Sequence, residues 1–154
     1  MTQQNKELLL KDLCARLNTK LVCSIYRVDD QGVGYRDEIL HGYCNIDACD
    51  EFYFGEDCGI STNNVSNIKP YLFPLSSMTE EEFNKLKEYS GLKYDQLDLA
   101  SFQNGAYKCL DFYLSEVPSY VVIRVFDWLN KYHFDYRGLI QMGLANDATG
   151  LNIY

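Results

Sequence analysis

Leu21-Val22-Cys23-Ser24-Ile25-Tyr26-Arg27-Val28 is the stretch on which the fold turns, because it is apolar, β-branched and bounded by turn formers. Such a run reads as a strand. Asp29-Asp30-Gln31-Gly32-Val33-Gly34 follows as a turn cluster. Ile39-Leu40-His41-Gly42-Tyr43-Cys44-Asn45-Ile46 and Glu51-Phe52-Tyr53-Phe54 read as two more strands, split by a polar turn over 47–50. Ahead of them, Leu10, Leu13, Cys14 and Leu17 recur at helical spacing and predict an amphipathic helix over residues 5–17. One helix followed by short antiparallel strands is the signature of the first half.

Beyond a polar loop over 61–67, Ile68-Lys69-Pro70-Tyr71-Leu72-Phe73-Pro74-Leu75 is extended, since each proline excludes the helical region for the residue before it. Thr79-Glu80-Glu81-Glu82 is a capping box, with Met78 and Phe83 at the staple positions and Gly91 as the left-handed stop. A helix over 79–90 follows. Residues 107–114 alternate roughly and suggest another strand. Pro118 fits the first turn of a helix whose apolar face is Val121, Val122, Val125, Trp128, Leu129 and Tyr132. Asp135 would cap a short last helix over 136–142, stopped by Gly143.

These elements predict one α+β domain spanning residues 1–154. A small antiparallel sheet, with closure into a barrel left open, packs against helices 5–17 and 118–132. Trp128 is expected in the core. Strand order is not legible.

The 154 residues carry a net charge of −8, and it is unevenly spread. Residues 28–60 hold nine acids (Asp29, Asp30, Asp37, Glu38, Asp47, Asp50, Glu51, Glu56, Asp57) against Arg36 alone. Segment nets of +3 for 1–27, −8 for 28–60 and −3 for 61–154 account for the total. Asp47, Asp50, Glu51, Glu56 and Asp57 are the candidate partner surface, suited to a protein with a basic face. The excess of acid disfavours nucleic acid. Tyrosine, at 13 copies, suits half-buried strands and contact surfaces alike.

No apolar run approaches a membrane span, and the Leu8-Leu9-Leu10 run is too short for a signal peptide. A cytoplasmic protein with six reduced cysteines is expected, with no cofactor. His41, Cys44, Cys49 and Cys58 are spaced H-x2-C-x4-C-x8-C, but lack the tight pair of a zinc knuckle, so no metal is assigned. Whether the four converge is not legible. A cysteine nucleophile would need His41 or His133 as base, and no local signature supports either. Gly32-Val33-Gly34 lacks the rest of a phosphate-binding loop. Catalytic residues are not assigned.

Three blocks carry a resemblance: Lys11-Asp12-Leu13-Cys14-Ala15-Arg16-Leu17, Ile68-Lys69-Pro70-Tyr71-Leu72 through Glu82, and Asp127-Trp128-Leu129-Asn130 with His133 through Ile140 and Gly143-Leu144-Ala145. Together they resemble uncharacterised proteins encoded by Bacteroides-type gut bacteria and their phages or integrated elements. Asn18-Thr19 stands where that family suggests a proline turn, and Phe73 where it suggests a base. The resemblance implies a phage or mobile-element origin and no mechanism. Three functions therefore compete. They are a small protein-binding modulator, an enzyme assembled around His133 or His41, and a structural or assembly component of unknown oligomeric state.

Overall fold

The computed structural model describes residues 1–29, 32–46, 49–55, 59–93, 97–105 and 117–154. The N-terminal helix α1 (Gln3–Ala15) starts two residues ahead of the range its periodicity predicts, because the Thr2 hydroxyl accepts from the Asn5 amide and caps it. Its Leu9 and Leu13 are fully buried. Strands β1 (Val22–Asp29), β2 (Gly32–Ile46), β3 (Cys49–Phe54) and β4 (Ile60–Thr62) form an antiparallel meander, and β5 (Ile68–Pro74) returns beside β1. Sequence pattern alone starts β2 at Ile39. In the fold it runs 15 residues, taking in the glycines and charges that resemble a turn. The polar stretch 61–67, expected as loop, holds part of β4 and a single 3-10 turn (Val65–Asn67).

The sheet runs β4-β3-β2-β1-β5-β6, with β6 (Phe134–Asp135) and β7 (Asn146–Asp147) both parallel to β5. It is mixed and open. That corrects the antiparallel, barrel-closing alternative: β6 and β7 join β5 in parallel, and among the described residues β4 and β6, at the two ends of the order, do not pair.

Helix α2 (Glu80–Ser90) carries the expected capping box, with Thr79 and Glu82 bonding reciprocally and Gly91 in the left-handed region at φ 75°. A short helix α3 (Leu99–Gln103), capped by Asp98, follows. Helix α4 (Ser119–Lys131) buries Val121, Val122, Val125, Trp128 and Leu129. Its chief partner is α2, which corrects the expectation that it packs on the sheet. The reason lies in the helix faces. Phe83 and Leu86 of α2, with Phe102 of α3, need covering and share a cluster with Val121, Val125 and Trp128. A second cluster joins Leu9 and Leu13 of α1 to Cys23, Ile25, Leu40, Phe52, Phe54, Ile68 and Leu72 of the sheet. Strand β5 serves both, its Leu72 in the sheet cluster and its Phe73 packed on the helical one.

The last helix expected over 136–142 is a turn instead. The Asp135 carboxylate accepts from the Leu139 and Ile140 amides at 2.9 and 2.8 Å, and Gly143 at φ 70° ends the turn after one loop. The expected cap is there, but the following segment packs Leu139, Leu144 and Ala145 into the sheet cluster without continuing as helix. The strand expected over 107–114 falls outside the described residues. Among the described residues, no helix is long and apolar enough to cross a membrane.

Candidate functional site: the outer face of the sheet

Strand alternation sends neighbouring side chains to opposite faces. Leu21, Cys23 and Ile25 of β1 are buried in the sheet cluster. Val22, Ser24, Tyr26 and Val28 therefore face outward. Register puts Asp37 beside Ser24, Tyr35 beside Tyr26, and Val33 beside Val28. Tyr26, Val28, Val33 and Tyr35 are exposed, at 38%, 73%, 66% and 61%. The Tyr26 and Tyr35 rings meet edge to face at 5.3 Å. Beyond Ile25, β1 has no β5 partner, and β2 is bonded on its other side only from Ile39 onward, where the Gly55 amide donates to the Ile39 carbonyl and the β3 pairing follows from Leu40. Among the described residues, the end of the β1–β2 hairpin is a two-stranded arm with no strand paired on either outer edge.

A β-bulge at His41 then shifts the register of β2, so that Gly42 pairs with Tyr53 and Cys44 with Glu51 on the outer face. Such a bulge re-aims the side chains that follow it. His41 itself is exposed.

The tyrosines and acids on and around this face are paired with one another. Tyr71 reaches across β1 and its hydroxyl donates to Asp37 at 3.1 Å. Ser24, which pairs with Asp37 on one side and with Lys69 of β5 on the other, is 6% exposed. The Tyr53 hydroxyl donates to Glu51 at 2.9 Å and lies 3.4 Å from the Cys44 sulfur. Tyr43, on the other face, donates to Asp50 at 2.6 Å, and the Asn45 amide adds a bond at 2.9 Å. Those two bonds, Tyr43 first, hold the Asp50 carboxyl below its ordinary value. The same bond raises the Tyr43 phenol. Tyr53 is raised by Cys44 and then Glu51, and Tyr71 by burial and then Asp37. Among the described residues, no lysine or arginine forms an ion pair with Asp37, Asp50 or Glu51. Phenols fix these carboxylates without cancelling their charge.

The candidate surface expected from the sequence is divided by this geometry. Glu51 lies on the outer face, whereas Asp50 turns toward α1 and lines a cleft of about 210 Å³ with Gln3, Lys6, Glu7 and Leu10. Asp47, Glu56 and Asp57 fall outside the described residues. Of the possible metal ligands, His41, Cys44 and Cys49 stand on the β2–β3 hairpin, and Cys58 is outside the described residues. Among the described residues no group of three metal-ligating side chains converges. Cys14, Cys23, Cys44 and Cys49 are free thiols. Burial, with Asp12 adding to it, pushes the Cys23 thiol far up.

His133 is a core residue. It is 6% exposed, sits in the left-handed region at φ 60°, and stacks on Tyr154 at 4.0 Å. Burial and then Arg16 push its imidazole down to about 4. Larger clefts, of about 300 Å³ around Pro74, Gln103 and Asp135 and about 380 Å³ around Leu92 and Pro118, are not lined by either histidine.

Sequence reasoning misses Tyr26, Tyr35, Tyr71 and Asp37. The alternation in Tyr26-Arg27-Val28 and Val33-Gly34-Tyr35 is the available signal, masked when 29–34 is taken as turn alone. No family model matches the chain, and comparison with curated proteins and with solved structures gives no significant match.

Proposed function

We propose that the protein is a small binding module that docks a protein partner with a basic surface on the outer face of its sheet. The observation that carries this reading is the pairing of Asp37 with Tyr71 and of Glu51 with Tyr53. A carboxylate held by a phenol keeps its charge and its orientation, and tyrosine adds a broad, stiff contact surface at low entropic cost. A guanidinium or ammonium brought to such a face meets both an acid and a ring. The net charge of −8 would steer that encounter. The resemblance to uncharacterised proteins of Bacteroides-type gut bacteria and their phages supports a phage or mobile-element origin for this module, which would work in the cytoplasm of its host.

The test uses the double variant Asp37→Asn, Glu51→Gln beside the native chain, each as bait in Bacteroides lysate at low and high salt. A basic protein held by the native chain at low salt, and lost by the variant with its melting midpoint unchanged, is the expected outcome. Equal capture by both baits would sink the reading.

A further inference from the structure

We infer, resting on the docking reading above, that the partner contributes an extended strand, apolar with a basic side chain in alternation, which pairs along the edge of β2 over Gly32–Glu38. Sheet edges in native proteins are usually blunted by proline, charged side chains, a bulge, a covering element or very short length. This one runs from Gly32 to Glu38 without proline, and its charges are gathered at one end in Arg36, Asp37 and Glu38. Its bulge comes only at His41, and among the described residues no strand covers it before Ile39, whose carbonyl accepts from the Gly55 amide. Its outward row is Val33, Tyr35, Asp37 and Ile39, two large exposed apolar groups followed by an exposed acid. Among the described residues Asp37 is the only charged side chain on the arm's outer face. A strand laid antiparallel or parallel to β2 puts alternate side chains against that row. Apolar residues opposite Val33 and Tyr35, and a base opposite Asp37, satisfy it. A second copy of the chain brings another net charge of −8, so a different, basic partner fits the edge better.

The probe is a short peptide of alternating arginine and valine, compared with the same peptide N-methylated at alternate amides. Binding is read by fluorescence anisotropy, and its location by amide hydrogen exchange of the native chain. The unmodified peptide is expected to bind and to slow exchange within residues 33–38. The methylated form, short of two or three backbone bonds, is expected to bind about tenfold more weakly or worse. Val33→Lys, at an exposed position, should weaken the unmodified peptide similarly without moving the melting midpoint. Equal binding of both peptides with exchange in 33–38 unchanged, but resonances of Tyr53 and Tyr71 shifted, would overturn edge pairing and leave the face reading standing. No binding of either peptide would overturn both. A dimer in sedimentation that Val33→Lys abolishes would assign the edge to a second copy and overturn pairing with a basic strand from another protein.

Discussion

Asp12 and Asp37 are both aspartates on regular elements of this fold, and the chain uses them in opposite ways. Asp12 is fully buried on α1. It accepts from Arg16 Nε at 2.8 Å, Arg16 Nη2 at 3.1 Å and Arg137 Nε at 3.1 Å. Arg16, also fully buried, directs its remaining donors to the carbonyls of Leu129, Asn130 and Phe134. The Leu129 carbonyl is an orphan acceptor at the C-terminal end of α4, where a cation is welcome, while those of Asn130 and Phe134 also accept from the His133 and Tyr136 amides. Asp37 stands exposed, with a phenol for a partner. The first arrangement consumes charge to fasten elements together. The second leaves charge on the surface where something else can meet it.

The largest expected effects break the first arrangement. Arg16→Met leaves Asp12 with Arg137 alone and takes the donor from the Leu129 carbonyl, so it should cost about 3–5 kcal/mol in a denaturant titration, the usual result of halving a buried ion pair. An unchanged midpoint would mean that Asp12 and that carbonyl find other donors. Trp128→Ala provides the apolar yardstick beside this junction. Trp128 is 4% exposed and stacks on Phe134 at 5.7 Å. Emptying a large aromatic site should likewise cost about 3–5 kcal/mol.

His133 gives the pH dependence of the same region. Its folded pKa of about 4 lies below the ordinary 6.5, so the unfolded chain takes up a proton first as pH falls. The stability that depends on a neutral imidazole is complete above pH 6.5 and is lost as pH drops through about 4, up to about 3 kcal/mol. Urea midpoints at pH 7 and 4.5 should differ for the native chain and differ less for His133→Asn, since asparagine tolerates the φ of 60°. A smaller effect probes the phenol–carboxylate pairing. Tyr43→Phe removes the first cause of the depressed Asp50 carboxyl, so its pKa should rise toward 3.8 in a carboxyl NMR titration, with little change in stability at neutral pH. A static Asp50 pKa would show that Asn45 alone sets it.

What the sequence discloses follows the range of the forces involved. The α2 capping box, its Met78–Phe83 staple and the buried stripe of α4 are local patterns, and residues 78–91 and 119–131 fold as those patterns dictate. The β1–β2 arm is half legible. Tyr26 and Val28 alternate clearly, but Gly32, Gly34, Arg36, Asp37 and Glu38 look like turn until β1 supplies the register that makes them strand. Which helix covers which surface depends on contacts far apart in sequence, and the partnership of α4 with α2 leaves no local trace. The acidic segment is visible as composition. Its division between faces, with Asp50 toward α1 and Glu51 outward, needs the bulge at His41, which no single-sequence pattern announces.

The guanidinium of Arg16 bonds carbonyls 113, 114 and 118 residues further along the chain. Those bonds exist only when both ends of the sequence have come home, so none can form while either region is still unfolded. One side chain thereby ties the opening of α1 to the opening of the last turn of α4, and the two clusters lose the freedom to melt separately. In native-state hydrogen exchange the slow amides of both segments should share one opening free energy, as parts of a single cooperative unit.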